Sequence, residues 1–135
     1  MKKIILSKKT KVYIFAPAKI FTGGPELLHQ LAYTITKKYK IDVKMVYLPV
    51  VDTNPIHNNF EKYKIKFSNY IEDEKKNILI IPEHYQFLSY SLKFKKIRKI
   101  LWWLSLDNYF GYKFRYEFSK TIRSLIKIPY NLIRI

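Results

Sequence analysis

The sequence of 135 residues contains no cysteine, which excludes disulfide bonds and metal sites built on thiolates. No stretch reaches the roughly 18 consecutive apolar residues that a membrane-spanning helix needs. The N-terminal segment MKKIILSKK returns to charge after a short apolar run, too short for the core of a signal peptide. We therefore expect a cytoplasmic location, which includes peripheral binding to the inner face of the cytoplasmic membrane.

Acidic residues are also scarce. Ten of them stand against 26 basic residues, which leaves a formal net charge of +16. A surface of that charge attracts nucleic acid, an anionic membrane leaflet or phosphorylated substrates. Hydrophobic residues make up 48% of the chain, which is enough material for the core of the single domain that this length indicates.

Strand-like and helix-like segments alternate along the chain. An apolar stripe at helical spacing predicts a helix that begins near Pro25, and continuous apolar runs bounded by turns are typical of strands buried on both faces. The expected strands are 11–15, 42–48, 62–71, 77–83 and 99–105, with a second helix over 86–94. This order predicts a Rossmann-like α/β domain over residues 1–110, a parallel sheet between flanking helices. We expect 62–71 at a half-exposed edge, and Trp102 and Trp103 in the core.

Two adjacent glycines, Gly23 and Gly24, stand between the first expected strand and its helix, followed by Pro25 and Glu26. Backbone N–H groups at the start of a helix suit a phosphate, and missing side chains allow its close approach. A tight corner that needs glycine for its backbone conformation is the alternative. The segment lacks the third glycine of a dinucleotide-binding fingerprint, and no Walker G-K-[ST] occurs in the chain.

Other polar residues also follow expected strands. Glu83 and His84 come after the apolar run ILIIP, and Asp107 and Asn108 follow the last strand. A Glu-His pair can act as a base or bind hydroxyl groups, with a solvated loop pair as the alternative. The Asp-Asn pair either binds sugar hydroxyls or caps a turn. His29 is expected to face solvent. The three histidines are scattered, so we expect no metal site and no cofactor.

Taken together, F-x-G-G-P-E-x-x-x-x-L-A, ILIIPE and KILWWLSLDNYF resemble the N-terminal domain of GT-B-fold bacterial glycosyltransferases of lipopolysaccharide, capsule and other envelope glycans. The resemblance spans residues 11–110 and implies the acceptor-binding half of such an enzyme. It places Gly23, Gly24 and Glu26 beside the donor phosphates, and Glu83, His84, Asp107 and Asn108 on the acceptor side of the cleft. It implies a nucleotide-sugar and a glycan or lipid-linked acceptor as substrates.

GT-B enzymes use a second Rossmann-like domain that carries most of the nucleotide-sugar site, and the resemblance does not extend to one here. We therefore expect a fragment, a truncated reading frame or one half of a two-chain enzyme, with the donor site on a separate chain or a downstream domain. Alone, the chain is expected to be inactive.

Residues 111–135 form a separate basic tail, for which the spacing predicts an amphipathic helix. Its apolar face would carry Phe114, Phe118, Ile122 and Leu125, and its basic face Lys113, Lys120, Arg123 and Lys127. Such a helix suits the surface of an anionic bilayer, where lipid-linked acceptors reside. The alternative is that the apolar face packs on the second domain.

Two other functions stay open. The segment KYKIKF, residues 62–67, interleaves lysines with aromatic and aliphatic residues, as in a basic nucleic-acid-binding module. No recognised nucleic-acid motif occurs, and lysine outnumbers arginine, so we expect no nucleic-acid partner. The last alternative is a remnant that binds glycan without catalysis.

Overall fold

The structure, a computed structural model, describes residues 6–51 and 53–104. Four strands and two α-helices alternate along this part of the chain. The elements are β1 Lys11–Pro17, α1 Gly23–Tyr39, β2 Asp42–Leu48, β3 Ile78–Pro82, α2 Tyr85–Ser91 and β4 Arg98–Trp102. A 3₁₀ helix, Asn58–Tyr63, lies in the connection between β2 and β3.

All four strands are parallel and lie in the order β2-β1-β3-β4. From β1 the chain therefore turns one way to reach β2 and the other way to reach β3 and β4. The gap between the carboxyl ends of β1 and β3 is the point where the winding reverses, and open parallel sheets bind ligands at that point. The expectation of a parallel α/β sheet with flanking helices is confirmed.

Both faces of the sheet are covered, which explains why β1 and β3 are continuous apolar runs. On one face Val12, Ile14 and Ala16 pack with α1 through Leu28 and Ala32. The other face, which α2 covers, buries a second cluster. Its central members are Tyr13, Phe15, Leu79, Ile81 and Phe87. Every residue of β3 is buried, as its pattern predicts.

Helix α1 begins and ends where the sequence indicates. Pro25 occupies the first turn, where its missing N–H costs nothing, and Glu26 lies near the positive end of the helix dipole. Lys37 and Lys38 lie in the last turn, and Lys40 ends the helix in the left-handed conformation. One prediction on this helix is wrong: His29 does not face solvent but is 1% exposed, because its two ring nitrogens both find partners in the interior.

The predicted edge strand over 62–71 is wrong. The 3₁₀ helix occupies its first residues, Lys64 adopts the left-handed conformation, and Phe67 makes only an isolated bridge to Met45. The segment with alternating lysines is an exposed connection between elements. Buried Phe60 anchors it at one end and buried Ile71 at the other. The alternation arises from solvent contact and not from pairing in the sheet.

The predicted burial of both tryptophans is also wrong. Strand β4 exists, but it is the outermost strand of the described sheet, and the exposed fractions of Trp102 and Trp103 are 36% and 43%. The apolar run over residues 100–104 resembles that of β3, yet the outer position of β4 leaves these side chains partly exposed. Of the helices in residues 6–51 and 53–104, none is long and apolar enough to cross a membrane.

Candidate functional site

A cavity of about 280 Å³ opens at the carboxyl ends of the strands, where the winding of the sheet reverses. Residues from the ends of β1, β2 and β3, from Leu104 just beyond β4, and from the first turns of both helices form its walls. The lining residues are Pro17, Ile20, Thr22, Gly24, Pro25, Leu28, Leu48, Pro49, Pro82, Glu83, His84, Gln86, Phe87 and Leu104. Its volume suits a small polar ring or part of a larger ligand.

Gly23 and Gly24 are the first residues of α1, and neither has a positive φ. The left-handed residue in this loop is Lys19, with φ of 56°. A Cβ atom on Gly23 would meet nothing within 4 Å, and one on Gly24 would lie 3.5 Å from Leu104 Cδ1, an ordinary contact. A tight corner that requires glycine is therefore not what the backbone shows at these two positions.

Glu83 and His84 both line the cavity, at the junction of β3 and α2. Glu83 is 3% exposed, and its Oε2 accepts a hydrogen bond of 3.0 Å from the Leu104 N–H, which ties the end of β3 to the residue after β4. His84 is the N-cap of α2, and its Nδ1 accepts from the Gln86 N–H at 3.3 Å. The alternative of a solvated loop pair does not fit a buried carboxylate.

The surroundings of His84 favour its neutral form. Burial lowers the pKa of His84, although the neighbouring carboxylate of Glu83 works in the opposite direction. Because the ring nitrogen that caps α2 must carry a lone pair, the neutral imidazole is the form that fits this geometry. The pair therefore presents one carboxylate and one neutral imidazole to the cavity.

Among the described residues, the lining of the cavity contains a carboxylate but neither lysine nor arginine, although the chain has 26 basic residues. In this part of the chain, attraction for an anion comes from backbone N–H groups and the dipole of α1. The walls are otherwise largely aliphatic, with phenylalanine and several prolines. Hydroxyl groups and apolar ring faces fit this surface better than a phosphate does.

Glu26 does not line the cavity. Its Oε1 accepts hydrogen bonds from the Tyr63 hydroxyl and from Gln30 Nε2, and lies 3.2 Å from Lys62 Nζ. The hydrogen bond from Tyr63 is the main reason why the pKa of Glu26 is lowered. This predicted site residue thus joins α1 to the 3₁₀ helix, on the other side of the helix N-terminus.

The buried His29 is held by two hydrogen bonds that define its tautomer. Nδ1 lies 2.7 Å from the Pro25 carbonyl oxygen, which can only accept, so Nδ1 carries the proton. Nε2 then accepts from the Tyr47 hydroxyl, also at 2.7 Å. Phe60 stacks on the ring with centroids 3.9 Å apart. Desolvation by burial lowers the pKa of His29 and raises that of Tyr47.

Several predicted site residues lie outside the described residues. They are Asp107, Asn108, Lys113, Phe114, Phe118, Lys120, Ile122, Arg123, Leu125 and Lys127. Conversely, the structure adds Thr22, Gln86 and Leu104, which sequence reasoning did not single out. Gln86 stands at the start of an expected helix and Thr22 just before another, which was a signal for these two. Leu104 falls inside the expected strand 99–105, so its position offered none.

Within the described ranges, no group of three histidine, aspartate or glutamate side chains is arranged to hold a metal ion. Comparisons with protein-family models, with curated proteins and with solved structures find no match to this chain.

Proposed function

We propose that this chain is the Rossmann-like, acceptor-binding half of a glycosyltransferase that moves a sugar from a nucleotide-sugar to an envelope glycan or a lipid-linked acceptor. The observation that carries the proposal is the cavity between the carboxyl ends of the strands, bounded by the first turn of α1 and by Glu83 and His84. Ligand sites of doubly wound parallel sheets form at this place.

The composition of the cavity supports a sugar as its ligand. The Glu83 carboxylate and the Thr22 hydroxyl can accept hydrogen bonds from sugar hydroxyls. Because Nδ1 of the neutral His84 ring accepts from the Gln86 N–H, its Nε2 carries the proton and can donate to a sugar oxygen. Aliphatic walls pack against the apolar faces of a sugar ring. The absence of lysine and arginine from the lining favours an uncharged ligand, which an acceptor sugar is and a nucleotide diphosphate is not.

The glycine turn supports a place for the donor at the rim. A Cβ at Gly23 or Gly24 would cause no clash within the chain, and neither residue needs glycine for its backbone dihedrals. The remaining reason for glycine at these positions is that a ligand can then approach the backbone N–H groups closely. In the proposed enzyme a second α/β unit would hold the nucleotide, and the donor phosphates would lie over this turn.

Saturation-transfer NMR tests the proposal on the 135-residue chain, with short oligosaccharides of envelope glycans and a panel of nucleotide-sugars as probes. Gly24→Val is expected to abolish the oligosaccharide signal, because its side chain would enter the cavity. Gly23→Val is the matched control: it lies one residue away in the same helical turn, outside the lining, and should keep the signal.

Equal loss of signal in both variants, or an unchanged signal in Gly24→Val, would show that the cavity is not the ligand site. Binding of nucleotide-sugars without any oligosaccharide signal would contradict the acceptor assignment. Binding of oligosaccharide with no transfer after a donor domain is supplied would leave the glycan-binding remnant as the better description.

A further inference from the structure

The loops at the amino ends of the four strands are rich in lysine. In a parallel sheet the residues that enter each strand all lie at one edge, so the segments before β1, β2, β3 and β4 come together. The exposed lysines in these segments and in the last turn of α1 are Lys8, Lys9, Lys37, Lys38, Lys40, Lys75, Lys76, Lys93, Lys95 and Lys96. We call these ten side chains the basic edge.

We propose that the basic edge is the surface by which this protein docks on an anionic lipid bilayer. The proposal does not depend on the glycosyltransferase assignment. It concerns the edge of the sheet opposite the cavity and a different part of the chain from the basic tail.

Hydrogen bonds between loops hold the basic edge together. The Asp73 carboxylate accepts hydrogen bonds of 2.8–2.9 Å from the N–H groups of Lys95, Lys96 and Ile97, which joins the loop before β3 to the loop before β4. Arg98 Nη2 donates to the Lys76 carbonyl oxygen at 2.7 Å across the same two loops. The lysines are therefore presented together by loops that hold one another.

Four acids lie among the described residues of this edge, against its ten lysines. Glu72 pairs with Lys11, Glu74 lies 2.8 Å from Lys76, and Asp73 is satisfied by three backbone N–H groups. The fourth, Asp42, is the exposed first residue of β2 and is the register partner of Lys11. The four acids offset part of the lysine charge and leave a positive balance. The net positive charge of the edge thus faces outward, where an anionic surface can meet it.

The high lysine content of the whole chain does not by itself explain why lysines cluster at the amino ends of the strands. The segments that follow β1, β2, β3 and β4, residues 18–22, 49–57, 83–84 and 103–104, contain a single basic residue, Lys19. A composition effect would enrich both sets of loops. The charge is instead concentrated at the amino ends of the strands.

Exposed apolar side chains among the lysines favour a bilayer over a nucleic acid. Leu6, Tyr39 and Leu92 border the basic edge, with 44%, 59% and 65% of their surfaces exposed. Leucine gains nothing from a phosphate backbone but gains free energy by entering the headgroup region. The edge also relies on lysine, a compact point charge. Among its described residues Arg98 is the one arginine, and its guanidinium donates to the Lys76 carbonyl oxygen within the edge.

Docking through this edge would set the orientation of the protein. Each strand residue adds about 3.3 Å, so the seven residues of β1 put the cavity about 20 Å farther from the bilayer than the basic edge. Membrane binding through the basic edge would therefore turn the cavity away from the bilayer.

Vesicle co-sedimentation measures the contribution of the edge in the 135-residue chain, using phosphatidylcholine with and without phosphatidylserine. A Lys93→Gln, Lys95→Gln, Lys96→Gln variant should bind the anionic vesicles about a hundredfold more weakly, since one lysine near such a leaflet contributes about fivefold in affinity. The control, Lys19→Gln, Lys64→Gln, Lys66→Gln, loses the same charge elsewhere and should change binding less than about fivefold. Circular dichroism confirms that both variants fold.

Equal weakening in the two variants would overturn the proposal, because net charge alone would then explain binding. Full binding in the basic-edge variant, with loss on changing Phe114, Phe118, Ile122 and Leu125 to serine, would overturn it in favour of the tail. Tighter binding to an oligonucleotide than to anionic vesicles at 0.15 M salt, again lost in the basic-edge variant, would assign the surface to nucleic acid.

The chain has no cysteine, so single labels report the orientation directly. Leu92→Cys places an environment-sensitive fluorophore at the basic edge, and Val50→Cys places it at the cavity edge, where Val50 is 54% exposed. Anionic vesicles should shift the emission of the label at position 92 to the blue and leave the label at position 50 unchanged. The reverse pattern would overturn the proposal.

Discussion

The two edges of the sheet are built from the same strands but differ in every property that decides their partners. At the carboxyl edge the loops enclose a cavity with a buried carboxylate, a neutral imidazole and no lysine or arginine in its lining. The amino edge is filled by loops that hold one another through Asp73 and project lysines outward. A parallel sheet separates what binds in a cavity from what binds on a surface, because the residues that follow the strands lie at one edge and those that precede them lie at the other.

This contrast also indicates where each edge is vulnerable. The amino edge depends on hydrogen bonds between loops, and its charges contribute to binding rather than to folding. Near the carboxyl edge, α1 and β2 are joined through the buried pair of His29 and Tyr47, whose hydrogen bonds depend on protonation. Substitutions can therefore affect one edge and spare the other.

The largest effect is expected from Asn77→Leu, which removes the internal support of the amino edge. Asn77 is fully buried; its Oδ1 accepts from the Lys11 N–H and its Nδ2 donates to the Glu72 carbonyl oxygen, both at 3.0 Å. Losing both bonds leaves two backbone groups without partners and should lower the free energy of unfolding by about 3 kcal/mol. Urea denaturation measures the change.

The control for that variant is Asn69→Leu, in the same connection but exposed, which should stay within about 0.5 kcal/mol of the original chain. The Asn77→Leu variant should also bind anionic vesicles more weakly under conditions where it remains folded. A loss of oligosaccharide binding without a loss of vesicle binding would contradict the separation of the two edges.

The next largest effect is expected near the cavity edge, from Tyr47→Phe. This change removes the hydroxyl that donates to His29 Nε2 and leaves that buried nitrogen unpaired, at a cost of about 2 kcal/mol. Tyr70→Phe removes a hydroxyl from a residue that is 70% exposed and serves as the control. Thermal unfolding of the two variants gives the comparison, and equal midpoints would show that the His29–Tyr47 bond does not stabilise the fold.

Mild acid should weaken the cavity side before the amino edge. Burial lowers the pKa of His29 below that of an unfolded histidine, about 6.5, so the unfolded chain takes up the proton first. Stability is therefore complete above pH 6.5 and falls as the pH drops below it, by at most about 1 kcal/mol over the next pH unit. The neighbouring groups are Tyr47, which donates to His29, and Glu26, whose charge partly opposes the shift.

At the amino edge stability also falls with falling pH, but over a lower pH range. The hydrogen bond from Lys11 lowers the pKa of Glu72, and backbone N–H groups lower the pKa of Asp73. Their contributions to the free energy of unfolding are present above the usual carboxyl pKa, about 4, and disappear only as the pH falls further.

The test of the His29 prediction is urea denaturation at pH 7.0 and 5.5, which should show a loss of stability that His29→Asn reduces. An equal loss in that variant would exclude His29 as its source.

Patterns along the sequence predicted the elements that are buried on both sides. Apolar runs at β1, β2 and β3 and the stripe on α1 identify strands and a helix because tertiary packing and local periodicity agree there. For β4 they predicted the strand correctly but not its exposure, because β4 lies at the outside of the described sheet. They failed for 62–71, where alternation comes from solvent exposure. Whether a neighbour covers a strand depends on topology, which periodicity does not contain.

The site was predicted in the same uneven way. Gly24, Glu83 and His84 all line the cavity, because the carboxyl ends of parallel strands meet by necessity. Spacing along the sequence could not predict where the side chains of Glu26 and His29 lie. Glu26 accepts a hydrogen bond from the 3₁₀ helix, and His29 accepts one from Tyr47 on β2. Both partners are distant in sequence from α1. The lysine-rich loops became one surface only once the strand order was known.

The smallest effect is expected at the glycines, where it separates stability from binding. Gly23→Ala and Gly24→Ala each place a Cβ in a helical turn with negative φ, with open space around the first and an ordinary contact to Leu104 around the second. Each should raise the free energy of unfolding by about 0.5 kcal/mol, because alanine loses less backbone entropy on folding. Only Gly24→Ala adds an atom to the cavity wall, so it alone should weaken oligosaccharide binding, by a few-fold. A loss of stability in either variant would mean that the turn needs glycine for its conformation, and the glycines would then say nothing about a ligand at the carboxyl edge.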